Sequence, residues 1–204
     1  MQKTQTRNLA ITALFVALFL LQTFVPNIGY IRILPALPAI TTVPLTVAVY
    51  SLLMGPKAGT LFGLFWGLMR LFQAYTQPGD MVSLMLFQNV FIAIVPSVFA
   101  GLLPGLIGRI FAKKSTQARE VSYVLAGAAT SLANTIFVIL LTSLFFMDRS
   151  TQLLGYMGNF NQGTPLILAL VIALGMNGLI EAVFTAVLTP LIVTPLKKML
   201  RRLQ

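Results

Sequence analysis

No cysteine and no histidine occur anywhere in the sequence, and only four residues are acidic. These absences exclude most catalytic chemistry at once. Without Cys or His there is no thiol nucleophile, no disulfide, no imidazole base and almost no transition-metal site. The acids, Asp80, Glu120, Asp148 and Glu181, are scattered along the chain. They form no paired-carboxylate motif, no D-x-x-D cluster and no glutamate pair, and no Gly-rich phosphate loop is present. The chain is therefore expected to be no enzyme, to need no cofactor or metal, and to hydrolyse no nucleotide by itself.

Charge of either sign is scarce. Only 9% of residues are charged while 57% are hydrophobic, and the mean hydropathy is +0.90. A soluble domain of this size would carry about 25% charged residues. The composition is that of a polytopic protein whose solvent is the lipid bilayer. The first apolar stretch, Leu9 to Val25, is as long as a span and is followed by no small-residue cleavage site, so it reads as a helix and not as a signal peptide. The net charge of +10 would point to nucleic acid on a soluble protein. Here the basic residues sit in short loops and tails beside apolar runs, and the positive-inside rule accounts for them without any nucleic acid.

The hydrophobic runs predict an all-α membrane protein, a single domain over residues 1–204 built as a bundle of six transmembrane helices. The expected helices are Asn8–Val25, Thr42–Met54, Lys57–Phe72, Val82–Phe111, Val121–Met147 and Pro165–Leu196, with "MGPK" a tight turn between the short second and third. An even number of spans puts both termini on one side. On that side fall Lys3, Arg7, Lys57, Arg109, Lys113, Lys114, Arg119, Lys197, Lys198, Arg201 and Arg202, eleven of the fourteen basic residues. Arg32, Arg70 and Arg149 remain for the other side. Both termini are accordingly expected in the cytoplasm. The long connections, rich in Gly, Pro, Tyr and Asn, then all lie outside, as lids over an externally open pocket would. The halves show no inverted or parallel repeat of the kind a self-sufficient secondary transporter carries.

Few polar residues lie inside the predicted spans. Trp66, Arg70 and Gln73 are spaced i, i+4 and i+7 on one face of the third helix. Gln88 and Asn89 stand near the start of the fourth, and Ser131, Asn134 and Thr135 in the fifth. The sixth holds Asn177 and Glu181, one turn apart. A charge or amide at membrane depth costs several kcal/mol unless it is satisfied, so these groups should face the bundle interior. Interhelical hydrogen bonding alone would explain the amides. Glu181 is different, because Pro165 and Lys197 are each sixteen residues away, about 24 Å along a helix. Its carboxyl cannot snorkel to water and must be paired or face a wet cavity. Arg70 could reach the outer surface, pair with Glu181, or bind a ligand carboxylate. Ala10, Ala13 and Ala17 line the first helix, the last two as an A-x-x-x-A face that another helix could approach closely, within this chain or from a partner.

Several segments together resemble a known family. The six-helix plan, the A-x-x-x-A face, "TTVPLTVAVYSLLMGPKAGTLFGLFWGL" (41–68), "TSLANTIFVILL" (130–141) and "MNGLIEAVFTAVL" (176–188) are similar to the S components of energy-coupling factor vitamin transporters. The resemblance covers nearly the whole chain and is strongest to the pantothenate-specific branch. It implies a prokaryotic plasma-membrane subunit that captures a vitamin from outside, beneath the loop after the first helix. That subunit then joins a transmembrane T component and two cytoplasmic ATPases, and topples in the membrane to release its ligand. The resemblance further implies that Ala13 and Ala17, with Ala10 on the same helix, dock the T component. It places Asn177 and Glu181 on the vitamin site with Asn134 opposite, and adds Thr41 and Asn89 to the lining. For pantothenate, an anion with an amide and two hydroxyls, Arg70 helped by Arg32 is expected at the carboxylate, beside Trp66 and Gln73. Glu181, Asn177 and Asn134 are expected at the amide and hydroxyl end. Alternatives are an S component for another vitamin, such as pyridoxine or hydroxymethylpyrimidine, a stand-alone proton-coupled transporter using Glu181, or an assembly subunit that binds no small molecule.

Overall fold

The computed structural model describes residues 2–25, 28–31, 40–77, 81–157, 160 and 163–202. Among them the chain is nearly all helical. Helix α1 (Gln2–Phe24) leads into two-residue strands β1 (Tyr30–Ile31) and β2 (Ile40–Thr41), which pair antiparallel with Tyr30 opposite Thr41. Then come α2 (Val43–Met54), α3 (Pro56–Thr76), α4 (Met81–Phe87), α5 (Val90–Ile110) and α6 (Thr116–Phe145). A 3-10 turn (Met147–Arg149) precedes α7 (Ser150–Met157), and α8 (Leu166–Leu170) runs through one π turn (Val171–Gly175) into α9 (Met176–Arg202). Among the described residues four helices are long and apolar enough to cross a bilayer: Gln5–Phe24, Val90–Ile110, Thr116–Phe145 and Leu166–Leu200. Val43–Met54 is a shorter apolar helix.

Helix α2 is the axis of the bundle. Residues Thr46 through Leu52 are buried on every side, and α3, α5, α6 and α9 all pack against it. That arrangement explains a short segment that is apolar all round. Its end is set by Gly55, whose φ of +89° is open to glycine at little cost, and Pro56 then starts α3 where no backbone donor is required. Helices α3 and α5 touch along glycines. A methyl group on Gly63 would run into the Ser97 carbonyl, and one on Gly101 into that of Gly59. The backbones approach closely there, as small residues permit between membrane helices, and Ser51 Oγ adds a 2.7 Å hydrogen bond to the Gly101 carbonyl. Phe15, Phe19, Tyr50, Phe62 and Trp66 form an aromatic centre joining α1, α2 and α3. A second cluster, Leu86, Ile92, Val138, Phe146 and Leu153, closes the end where α4 and α7 lie. Leucines and valines such as Leu61, Leu140, Leu144, Val183 and Leu191 are exposed on the outer helix faces, where lipid is the solvent.

The helices differ from those expected: α1 begins at Gln2 and not Asn8, α6 at Thr116 and not Val121, and α9 runs past Leu196 to Arg202. The segment predicted as one helix, Val82–Phe111, is two, because Asn89 ends α4 and caps α5 by accepting from the Phe91 and Ile92 amides. The third helix is longer than predicted and runs to Thr76. The connection after the fifth helix contains α7, whose Leu153 and Leu154 are buried.

Candidate functional site

The polar residues picked out within the spans gather at the end of the bundle where α3 finishes and α9 begins. Glu181 lies on α9 and is only 4% exposed. Its Oε1 accepts the Thr41 amide at 2.9 Å and the Thr41 hydroxyl at 2.8 Å, and the Asn177 amide donates to the same oxygen at 3.3 Å. The carboxyl that could not reach water is thus met by the residue that leads into α2, and by its own helix one turn back. Among the described residues no donor reaches Oε2. Beside it, Asn177 Oδ1 is buried with no hydrogen-bond partner. Two acceptor oxygens thus stand one turn apart on α9 with no donor among the described residues, just after the π turn, a feature frequent near functional sites.

The cation sits on α3. Arg70 Nη1 donates to Asn134 Oδ1 of α6 at 2.9 Å. Its guanidinium carbon lies 4.7 Å from the Trp66 ring centre and 4.5 Å from that of Phe87. Spacing along α3 puts Trp66 under Arg70, and the end of α4 brings Phe87 to it. Two aromatic faces and an amide oxygen hold the planar guanidinium in a fixed orientation, a geometry from which it can recognise an anion. Gln73, one turn further on, donates to the Thr23 carbonyl of α1 at 2.9 Å. A cleft opens between these elements, lined by Trp66, Met69, Arg70 and Gln73 of α3, by Phe19, Gln22 and Thr23 of α1, and by Thr41 and Val43.

The structure thus brings Trp66, Arg70, Gln73 and Thr41 to one cleft. Glu181 and Asn177 stand directly behind Thr41, and Asn134 is bonded to Arg70. Asn134, expected at the hydroxyl end, is therefore attached to the cation. Asn89 is occupied as the α5 cap. Arg32 lies outside the described residues. Ala10, Ala13 and Ala17 are exposed on α1, away from the buried stripe of Phe15, Phe19 and Gln22. Sequence reasoning missed Phe19, Gln22, Thr23, Val43 and Met69 of the cleft wall, and Phe87 against the cation. Phe87 ends a helix that was not foreseen. Gln22 carried a usable signal, since it continues the Phe15 and Phe19 stripe at i+4 and i+7.

The family model for the substrate-specific component of ECF transporters matches residues 7–193. A protein named pantothenate transporter PanT, from Leuconostoc mesenteroides subsp. mesenteroides, is 37% identical over 160 residues, 76% of this chain and 77% of that protein. Another, named pantothenic acid transporter PanT, from Lactococcus lactis subsp. cremoris, is 26% identical over 212 aligned residues, 97% of each chain.

Proposed function

Because the chain belongs to the substrate-specific components of ECF transporters, a family of transporters and not of enzymes, we propose that it binds pantothenate outside the cell and delivers it inward. It is a multi-pass protein of the prokaryotic plasma membrane. Delivery requires a transmembrane T component and two cytoplasmic ATPases, since nothing in the chain can hydrolyse nucleotide. The observation that carries the choice of ligand is the polarity of the site. A cation held by aromatic rings stands on α3, and two acceptor oxygens, Glu181 Oε2 and Asn177 Oδ1, stand on α9. Pantothenate has the complementary polarity, a carboxylate at one end and hydroxyls at the other. In this reading Arg70, supported by Trp66, Gln73 and Arg32, meets the carboxylate. Glu181, Asn177 and Thr41 hold the hydroxyl and amide end, and Asn134 fixes the guanidinium between them. The names of the two relatives support the same ligand. Reconstitution tests the division of labour: with a T component and two ATPases, ATP should drive pantothenate into vesicles, and the chain alone should move none. Proton-driven uptake by the chain alone would make it a secondary transporter instead.

The membrane arrangement that goes with this function is one domain of six spans with both termini inside. Helices α2 and α3 are the fifth and sixth spans beside the four long apolar ones, and the positive-inside asymmetry orients them. The native absence of cysteine makes orientation directly measurable. In intact cells an impermeant thiol reagent should label Gly155→Cys, exposed on α7, and leave Ser115→Cys, at the turn before α6, unlabelled. The reverse pattern overturns the orientation.

A further inference from the structure

We propose that Gln22, in the last turn of α1, is a positioning residue that holds Thr41 against Glu181 and so fixes the wall of the ligand cleft. The inference rests on reading that cleft as the pantothenate site.

Gln22 is 7% exposed, and both ends of its amide are used. Nε2 donates to Thr42 Oγ1 at 2.9 Å, and Oε1 accepts from Thr46 Oγ1 at 2.9 Å. Thr42 passes its own hydroxyl proton to the Gly29 carbonyl at 3.2 Å, and its amide donates to the same carbonyl at 2.9 Å. Every hydrogen in this network has one direction. Because the Thr42 hydroxyl is already a donor to Gly29, it can only accept from α1, and because Thr46 donates, α1 must also offer an acceptor one bond away. Among uncharged side chains, a carboxamide of glutamine's length supplies both. Thr41 is the next residue along, and it is Thr41 that gives Glu181 its amide and its hydroxyl. Its backbone therefore has to be stationary for two donors to converge on one oxygen.

The consequence is a division of Glu181 into a fixed oxygen and an offered one. With Thr41 seated, Oε1 is saturated and Oε2 is left to the ligand in a set direction. Without Gln22, the Thr42 hydroxyl keeps its bond to Gly29 but loses the one it accepts, and the Thr46 proton loses its acceptor, in a region that water reaches poorly. The 41–42 segment would then have to move to satisfy them. Preorganised sites lose affinity when the groups that fix their walls are released. Because Gln22 also lines the cleft, a change at Thr42, which does not line it, separates that loss from a lost contact with the ligand.

Hydrogen exchange together with ligand binding tests this on the full-length protein in lipid nanodiscs. Gln22→Met keeps the length and suits a membrane helix, and Thr42→Val breaks the same network from its other side without touching α1. In the absence of ligand, each variant should speed exchange of the Thr41 amide by about tenfold, and each should weaken pantothenate binding by about tenfold, the loss of roughly one buried hydrogen bond. Unchanged exchange in both variants overturns the proposal, since Thr41 would then be held by something else. Faster exchange with undiminished affinity also overturns it, since the held residue would not matter to the ligand. If the native protein binds no pantothenate, the proposed ligand falls, and the exchange result alone decides whether Gln22 holds Thr41.

Discussion

Replacing Arg70 by glutamine is expected to weaken pantothenate binding by roughly ten- to a hundredfold. A charge-assisted hydrogen bond contributes about 1.5–3 kcal/mol, and about 1.4 kcal/mol is a factor of ten in affinity. The substitution also breaks the 2.9 Å bond to Asn134 and the contacts with Trp66 and Phe87, so an affinity loss alone would not identify the group that Arg70 meets. The alcohol analogue pantothenol makes that distinction. It has the hydroxyls and the amide but no carboxylate, so it should bind the native protein weakly and lose little further in Arg70→Gln. Binding of both compounds, measured by titration calorimetry on native and substituted protein, gives the answer. Equal losses for acid and alcohol would make Arg70 a brace for Asn134 and the aromatic rings, with no ligand carboxylate on it.

Assembly should be lost altogether when Ala13 and Ala17 are both changed to leucine. The two alanines are exposed on α1, and α1 turns Phe15, Phe19 and Gln22 inward instead. An alanine face lets a second helix come within backbone distance, and two leucines would fill the space it needs. The same change should leave pantothenate affinity untouched, because the cleft is lined from the opposite side of α1 by Phe19, Gln22 and Thr23. Co-purification with tagged T component reads out assembly. Retention of the doubly substituted chain would show that the T component docks elsewhere.

The long apolar runs were legible because membrane helices must satisfy their own backbone and carry continuous hydrophobic sequence. The "MGPK" turn was legible because Gly and Pro have sharp backbone preferences, and the positive φ at Gly55 follows them. Intramembrane polar residues were legible as a group, since the cost of burying them forces them together. Which of them pair was not. Asn134 was expected near Glu181 and is bonded to Arg70, because the rotation of α6 relative to α3 and α9 depends on packing that no local pattern encodes. The break at Asn89 hid because the stretch is hydrophobic on both sides of Gln88 and Asn89, and one side-chain cap outweighs many apolar neighbours. The π turn at Val171–Gly175 has no evident mark in its sequence at all. Gln22 escaped for a different reason. Near the end of a helix a glutamine ordinarily reaches water, and only the strand and turn folded over it enclose it.

Direct titration of the purified chain, free of any T component or ATPase, with pantothenate bears most immediately on the central claim. The account predicts saturable binding of one pantothenate per chain, with thiamine, a cationic vitamin, failing to compete for a site whose ligand-facing charge at α3 is Arg70. Tight binding of thiamine with none of pantothenate would contradict it and assign the cleft to a different substrate.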